Sequence, residues 1–263
     1  MLPEQYSIVV ALVCFGAMFL ISLSSKRNGV GGVLLTAMAS AFLLAGIIIR
    51  WDRLGQGPFL TLFEVLLSNL FSLSLVFAVL YAGVKRVRVA TPVVMVLLMV
   101  LSVWALRSRP DLMPLPPTFD HPWLWIHVIA GKLFLSLCMT AFSLAMVLLM
   151  NRTWGFATDR VSAEEHDPMV WRLLAAAFVF HSFMLIAGAV WAHDAWGRYW
   201  SWDPLETWSL LTWLCLAIVL HLRLTYRIPP PLGWMLAVFV FVIAFLTFFG
   251  VQFFSLAPHK GVM

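Results

Sequence analysis

Residues 123–150 read WLWIHVIAGKLFLSLCMTAFSLAMVLLM, twenty-eight residues in which Lys132 is the one formal charge. A helix needs about 20 largely apolar residues to cross the hydrocarbon core of a bilayer, so this run is long enough to span it. Seven further runs of the same kind surround it, at approximately 6–24, 31–49, 60–83, 90–106, 169–192, 205–225 and 232–255. Lipid offers no water to backbone polar groups, and a helix satisfies them within its own segment. The expected fold is all-α: a polytopic membrane helical bundle of about eight transmembrane helices, with residues 1–263 forming a single integral membrane domain.

Composition agrees. The chain is 62% apolar and 11% charged, with a mean hydropathy of +0.95, whereas a soluble domain is roughly half apolar and about a quarter charged. The segments between the runs are short, and there is no internal repeat or low-complexity stretch. Pro and Gly fall mostly at the ends of the runs. Arg109-Pro110, Pro114, Pro116-Pro117 and Pro122 mark an extended loop on one side, and Pro229-Pro230-Pro231 with Gly233 marks a sharp turn on the other.

The net charge is +5, but the basic residues sit in short loops between apolar runs. That placement fits membrane lipid and argues against nucleic acid as a partner. Cys14, Cys138 and Cys215 each lie inside an apolar run without a CxxC or a second ligand nearby. A disulfide framework, a zinc site and self-attached c-type heme are thereby excluded.

Basic residues are retained on the cytoplasmic side during insertion. One set of loops carries ten of them: Lys26, Arg27, Lys85, Arg86, Arg88, Arg152, Arg160, Arg172, Arg223 and Arg227. The opposite set carries six: Arg50, Arg53, Arg107, Arg109, Arg198 and Lys260. Both termini are predicted external. The first span is preceded by Glu4, with no basic residue and no small-residue cleavage site, so no cleaved signal peptide is expected.

Between the sixth and seventh runs, on the external side, lies Trp191-Ala-His-Asp-Ala-Trp196-Gly-Arg-Tyr-Trp200-Ser-Trp202-Asp203-Pro204-Leu-Glu206-Thr-Trp208. The whole chain holds thirteen Trp, more than lipid anchoring requires. If this segment is helical, Trp196 and Trp200 share a face, with Tyr199 and Trp202 close by. Such a shelf suits a large planar apolar ligand with polar edges, and a porphyrin fits that description. An aromatic belt at headgroup depth is the competing account. Asp203, Pro204 and Glu206 form a helix-start signal for the seventh span, with Asp at the cap, Pro at the first position and Glu at the third.

The run Trp196-Gly-Arg-Tyr-Trp-Ser-Trp-Asp-Pro-Leu-Glu-Thr-Trp208, followed by Trp213 and Leu220-His221, closely resembles the WWD signature of the heme-handling proteins. Within them it is most similar to the CcsA (ResC) branch of system II cytochrome c biogenesis. Leu205 departs from the Lys usual after that Pro. Gly57-Pro58 and Leu62-Phe63-Glu64-Val65-Leu66-Leu67 resemble the start of the branch's third span. The likeness covers the whole chain at low density and 123–259 well.

Seven histidines are present: His121, His127, His166, His181, His193, His221 and His259. His127 lies a turn inside the external end of the fifth span and His259 just past that of the eighth. Gly131, four residues after His127 and on its face, leaves room for a planar group. Without the shelf, each histidine reads as an ordinary solvated or hydrogen-bonded side chain. The resemblance implies that both are external axial ligands of heme b iron, beside Trp196, Trp200, Trp202 and Asp203, with Arg198 able to pair with a propionate.

His221 follows Asp203 by eighteen residues, so at about 1.5 Å per residue it sits roughly 27 Å deeper, near the cytoplasmic leaflet. A histidine snorkelling beside Arg223 is one account. The resemblance implies the other, an intramembrane heme ligand whose opposite ligand comes from a CcsB (ResB)-type partner. His181 reads as a core histidine bonded to a neighbouring helix, and His121, His166 and His193 as loop residues. Lys132 and Glu64 lie near the outer ends of their spans, where snorkelling or mutual pairing accounts for them.

By resemblance the chain is the heme-handling subunit of a cytochrome c synthase, in a bacterial cytoplasmic membrane or a thylakoid membrane. Heme is taken up near His221, moves outward, and is presented between His127 and His259 to an apocytochrome c bearing CxxCH. A thiol-reducing protein is a further implied partner. No residue reads as a general acid or nucleophile. A heme exporter, chaperone or regulatory relative that binds heme without attaching it stays open beside this reading. An electron-carrying cytochrome b is disfavoured, because no two histidines stand thirteen or fourteen apart on one helix.

Overall fold

In the computed structural model, described for residues 2–23, 29–57, 60–155 and 162–253, eight helices are long and apolar enough to cross a membrane. They are built on α1 (Pro3–Leu23), α2 (Gly29–Leu54), α3 (Leu62–Gly83), α4 (Thr91–Arg107), α5 (Pro122–Trp154), α6 (Ala163–Trp196), α7 (Pro204–Thr225) and α8 (Pro230–Phe245), the fourth and eighth reaching spanning length together with the short helical turns that adjoin them. A 3-10 stretch, Lys85–Ala90, leads into α4, and a π-helical turn, Leu246–Gly250, prolongs α8. The all-helical membrane architecture expected from hydropathy is the one observed. α5 and α6 outrun their apolar stretches. At 33 and 34 residues each is about 50 Å long at 1.5 Å per residue.

The chain divides into two compact units at Leu115/Pro116. The first holds α1–α4. The end of this unit where α2 finishes and α3 begins is held by buried charge, with Arg50 reaching Glu64 at 2.8 Å and Glu4 at 3.1 Å. Arg53 also bonds Glu4. Glu64 owes its position to local sequence, because Thr61 caps α3 and Glu64 returns the bond in a capping box. Its second oxygen accepts the Leu60 and Thr61 N–H groups at 2.9 and 3.1 Å, while its first takes Arg50. Arg50 also donates to the carbonyls of Pro110 and Asp111, at 3.2 and 2.6 Å, which fastens the proline-rich loop after α4.

The second unit holds α5–α8, and the α5/α6 pair is its spine. Small residues let those two helices close. A Cβ on Gly131 would stand 2.9 Å from Met184 Sδ, and one on Gly188 would stand 2.6 Å from His127 Nδ1. α7 joins through a seam of Ser209, Thr212, Leu216 and Val219, its buried residues. Thr212 Oγ1 meets Thr247 Oγ1 of the π turn at 2.8 Å, and Trp213 Nε1 donates to Ser182 Oγ at 2.8 Å. In an apolar medium these interhelical hydrogen bonds are worth about 0.6 kcal/mol each, so they set register more than they supply stability.

Candidate functional site

The Trp-rich segment takes its shape from two local signals. α6 stops at Trp196 because Gly197, at φ 72°, adopts a left-handed conformation that L side chains resist and receives the helix C-terminus. α7 restarts at Pro204, where the Asp203 side chain accepts the Glu206 N–H at 2.9 Å. The cap expected from Asp203, Pro204 and Glu206 is therefore present. Glu206 reaches further back than a capping box, to the Ser201 N–H at 2.7 Å and the Ser201 hydroxyl at 3.2 Å.

A helical shelf joining Trp196 to Trp200 is not what forms, because Gly197 breaks the helix between them. The aromatics instead meet in edge-on pairs. Trp191 and Trp196 pack at 4.9 Å and 65°, and Trp200 and Trp202 at 5.8 Å and 84°. Trp191 Nε1 donates to Thr118 O at 2.8 Å, and Phe119 packs edge-on against the same ring at 5.6 Å. That ties the loop before α5 to the end of α6.

Trp202 is the conformational outlier. It is the one non-glycine residue with positive φ among the described residues, at 60°, and its side chain is 69% exposed. A left-handed L-residue costs about 1–2 kcal/mol, and an indole this exposed returns little of that by burial. Trp200 lies more deeply, and its Nε1 is buried with no hydrogen-bond partner among the described residues. Arg198 and Tyr199 are exposed on the same loop. The segment thus offers aromatic surface, a buried unspent N–H donor and a guanidinium, a donor set that suits a flat macrocycle with anionic edges.

His127, in the second turn of α5, is half-buried, with Nδ1 at 2.8 Å from Met184 O on α6. A carbonyl can only accept, so Nδ1 carries a proton, and in the neutral ring the lone pair is on Nε2, one of the two tautomers through which imidazole ligates a metal. Gly188 makes the seat, since its missing Cβ is what lets the imidazole lie against α6. His259 lies outside the described residues. Nothing in the sequence marks Gly188 as part of the site. A glycine on α6 at the depth of His127 was visible there, but the contact between them was not.

The other histidines separate cleanly. His181 is buried on α6, stacked on Phe134 with centroids 4.0 Å apart. Its Nε2 stands 3.4 Å from Ser209 Oγ of α7, a long contact, and its Nδ1 has no partner among the described residues. His166 is also buried, donating from Nδ1 to Ser162 O at 2.9 Å, so it belongs to the start of α6 rather than to a loop. His121 and His193 flank Asp194, each at 3.4 Å, and His193 stacks on Tyr199 at 4.2 Å.

His221 is exposed on α7, in a stripe with Leu211, Leu214 and Ile218. Its nearest polar contact is Thr225 Oγ1, 3.4 and 3.5 Å from the two ring nitrogens. Arg223 is not beside it. That side chain leaves the opposite face of the helix to meet Asp167, a residue whose one sequence signal is that an Asp near the end of an apolar run asks for a partner.

Fold and site together define a polytopic helical membrane protein with a Trp-rich loop capped between its sixth and seventh helices. The cytochrome c assembly protein family matches residues 5–259, and the chain belongs to that family. It is similar to the cytochrome c biogenesis protein CcsA of Guillardia theta, 29% identical over 88% of this chain and 84% of that one. The CcsA protein of Prochlorococcus marinus subsp. pastoris is 26% identical over 92% and 86%, and that of Chlamydomonas reinhardtii 25% identical over 86% and 67%. Among solved structures it resembles the cytochrome c heme lyase CcmF, with a TM-score of 0.71 at 16% identity over 95% of this chain. It spans 47% of that larger chain, and the likeness is one of fold.

Proposed function

We propose that this chain is the heme-handling subunit of a system II cytochrome c synthase, carrying heme b as substrate and presenting it on the external side. The observation that carries the reading is the seat of His127. Its proton is committed to Met184 O, so its basic nitrogen is Nε2, at the end of the unit where Trp202 stands exposed in a strained backbone. Strain held at an exposed aromatic, with little burial to offset it, marks a surface kept for a ligand. His127 and His259 are the external axial ligands on this reading. Trp196, Trp200 and Trp202 supply the aromatic wall beside the Asp203 cap, and Arg198 with the Trp200 N–H faces the propionates. His221 is the ligand on the inner side, completed by a CcsB-type partner.

The chemistry asked of the protein is modest. Each thiol of a client CxxCH adds across a heme vinyl group, its sulfur to one carbon and its proton to the other, with no net oxidation. The chain contributes position and exclusion of water. Both termini face outward on this reading, which the ten-to-six distribution of basic residues supports, in a bacterial cytoplasmic or a thylakoid membrane. A chaperone that binds heme without attaching it shares every feature of the site, and client maturation separates the two.

The test is co-expression of the full chain with a CcsB-type partner and an apocytochrome bearing CxxCH. Purified protein should show a bis-imidazole heme spectrum, and His127→Gly should stop maturation until imidazole is added. Absence of heme from the wild-type complex would overturn the reading. Heme bound without transfer to the client would leave the chaperone.

A further inference from the structure

At the inner end of the second unit one carboxylate gathers three helices. Asp167 of α6 is buried. Its Oδ1 accepts the indole N–H of Trp171 at 3.2 Å and that of Trp234, on α8, at 2.9 Å. Its Oδ2 takes the Arg223 guanidinium of α7 at 2.6 Å. Arg223 also lies over the Trp171 ring, 5.0 Å from its centroid. α8 comes this close because position 233 is glycine, where a Cβ would stand 2.6 Å from Trp171 Cζ2. A charge at this depth is expensive unless partnered, and Asp167 is partnered on both oxygens.

The clasp bears on α7 in a particular way. The buried seam of that helix runs through Ser209, Thr212, Leu216 and Val219, a spacing of three and four residues, and Arg223 continues it. Val219 is the last buried apolar residue of α7, so past it the ion pair of Arg223 is the strongest tie that holds the rotation of the last turn. His221 stands two residues before Arg223, about 200° around the helix. Drawing Arg223 inward therefore turns His221 outward, into the stripe where it is observed.

We propose that Asp167 is a positioning residue for His221: through Arg223 it fixes the rotation of the last turn of α7 and so aims the imidazole at the inner heme. The inference rests on the reading of His221 as a heme ligand. It assigns Asp167 and Arg223 a part in ligand geometry, over and above holding three helices together.

The test uses the full chain with its CcsB-type partner and reads heme per protein and the reduced absorption spectrum. D167N keeps acceptors for the indoles and loses the charge that holds Arg223, and R223Q removes the cation from the other side. Each should lower inner heme occupancy about ten-fold or more, the scale observed when groups that orient metal ligands are removed. W234F, which frees one indole bond without touching α7, should leave occupancy unchanged. In an H221G background rescued by imidazole, adding D167N or R223Q should cause no further loss, since a diffusible base needs no aiming.

Normal occupancy in both D167N and R223Q would overturn the proposal. So would an equal loss in W234F, or a further loss in the imidazole-rescued double variants, because either result would make the clasp a packing element. If D167N fails to accumulate, R223Q and its double variant decide the matter alone. Normal heme in H221G itself would sink the assignment of His221 and this inference with it, and that outcome is distinct from the others.

Discussion

The guanidinium of Arg50 and the carboxylate of Glu64 meet at 2.8 Å with both side chains out of solvent. Breaking a buried pair strands a charge, at about 3–5 kcal/mol, and Arg50 also holds Glu4 and two loop carbonyls. Arg50→Leu is expected to lower the thermal midpoint in detergent by several degrees and to expose residues 108–116 to protease. Arg50→Lys should fall between, because it keeps the charge without the planar fork. A wild-type midpoint in Arg50→Leu would show that the cluster does not carry this end of the unit.

Gly188 seats His127 by offering it no side chain. A methyl group there would stand 2.6 Å from Nδ1, so Gly188→Ala should push the imidazole off the Met184 carbonyl. Client maturation should fall about ten-fold, as for other losses of ligand orientation. Gly131→Ala crowds Met184 and Phe248 instead and should act on stability more than on maturation. Full maturation in Gly188→Ala would mean that this seat is not needed.

Trp202 allows backbone strain and ring surface to be separated. Trp202→Gly and Trp202→Ala both delete the indole, but only glycine relaxes a φ of 60°, a difference of about 1 kcal/mol. The glycine variant should unfold at the higher temperature of the two. Heme occupancy should drop equally in both, because the lost contact is the ring. Retained occupancy in either variant would remove Trp202 from the site.

Orientation is checked by single cysteines placed at Ser201, Gly261 and Tyr226. The basic-residue distribution puts the first two outside and the third inside. A membrane-impermeant maleimide should reach Ser201→Cys and Gly261→Cys in intact cells, and Tyr226→Cys only after permeabilisation. The reverse pattern would invert the direction of heme movement proposed here.

The eight spans were legible in the sequence because bilayer thickness imposes a length and an apolar composition that no other environment imposes. The start of α7 was legible for a similarly local reason. Asp203, Pro204 and Glu206 act on backbone groups within three residues of themselves, and the Asp203 side chain bonds the Glu206 N–H as that order dictates. The break before it was there to read as well. Gly197 ends α6, and a helix drawn through it from Trp196 to Trp200 overlooked the left-handed cap that glycine favours.

Which side chains meet across helices was decided by tertiary structure alone. The residues facing His127, Met184 and Gly188, lie fifty-seven and sixty-one positions further along the chain. Asp167 collects Arg223 and Trp234 from fifty-six and sixty-seven positions away. Hydropathy identifies the residues that enter the membrane but not the rotation of each helix about its axis, because lipid and a neighbouring helix are equally apolar surroundings. That rotation is fixed by small residues where backbones close and by the few polar groups that find one another, and it is what turns Arg223 toward Asp167 and His221 away.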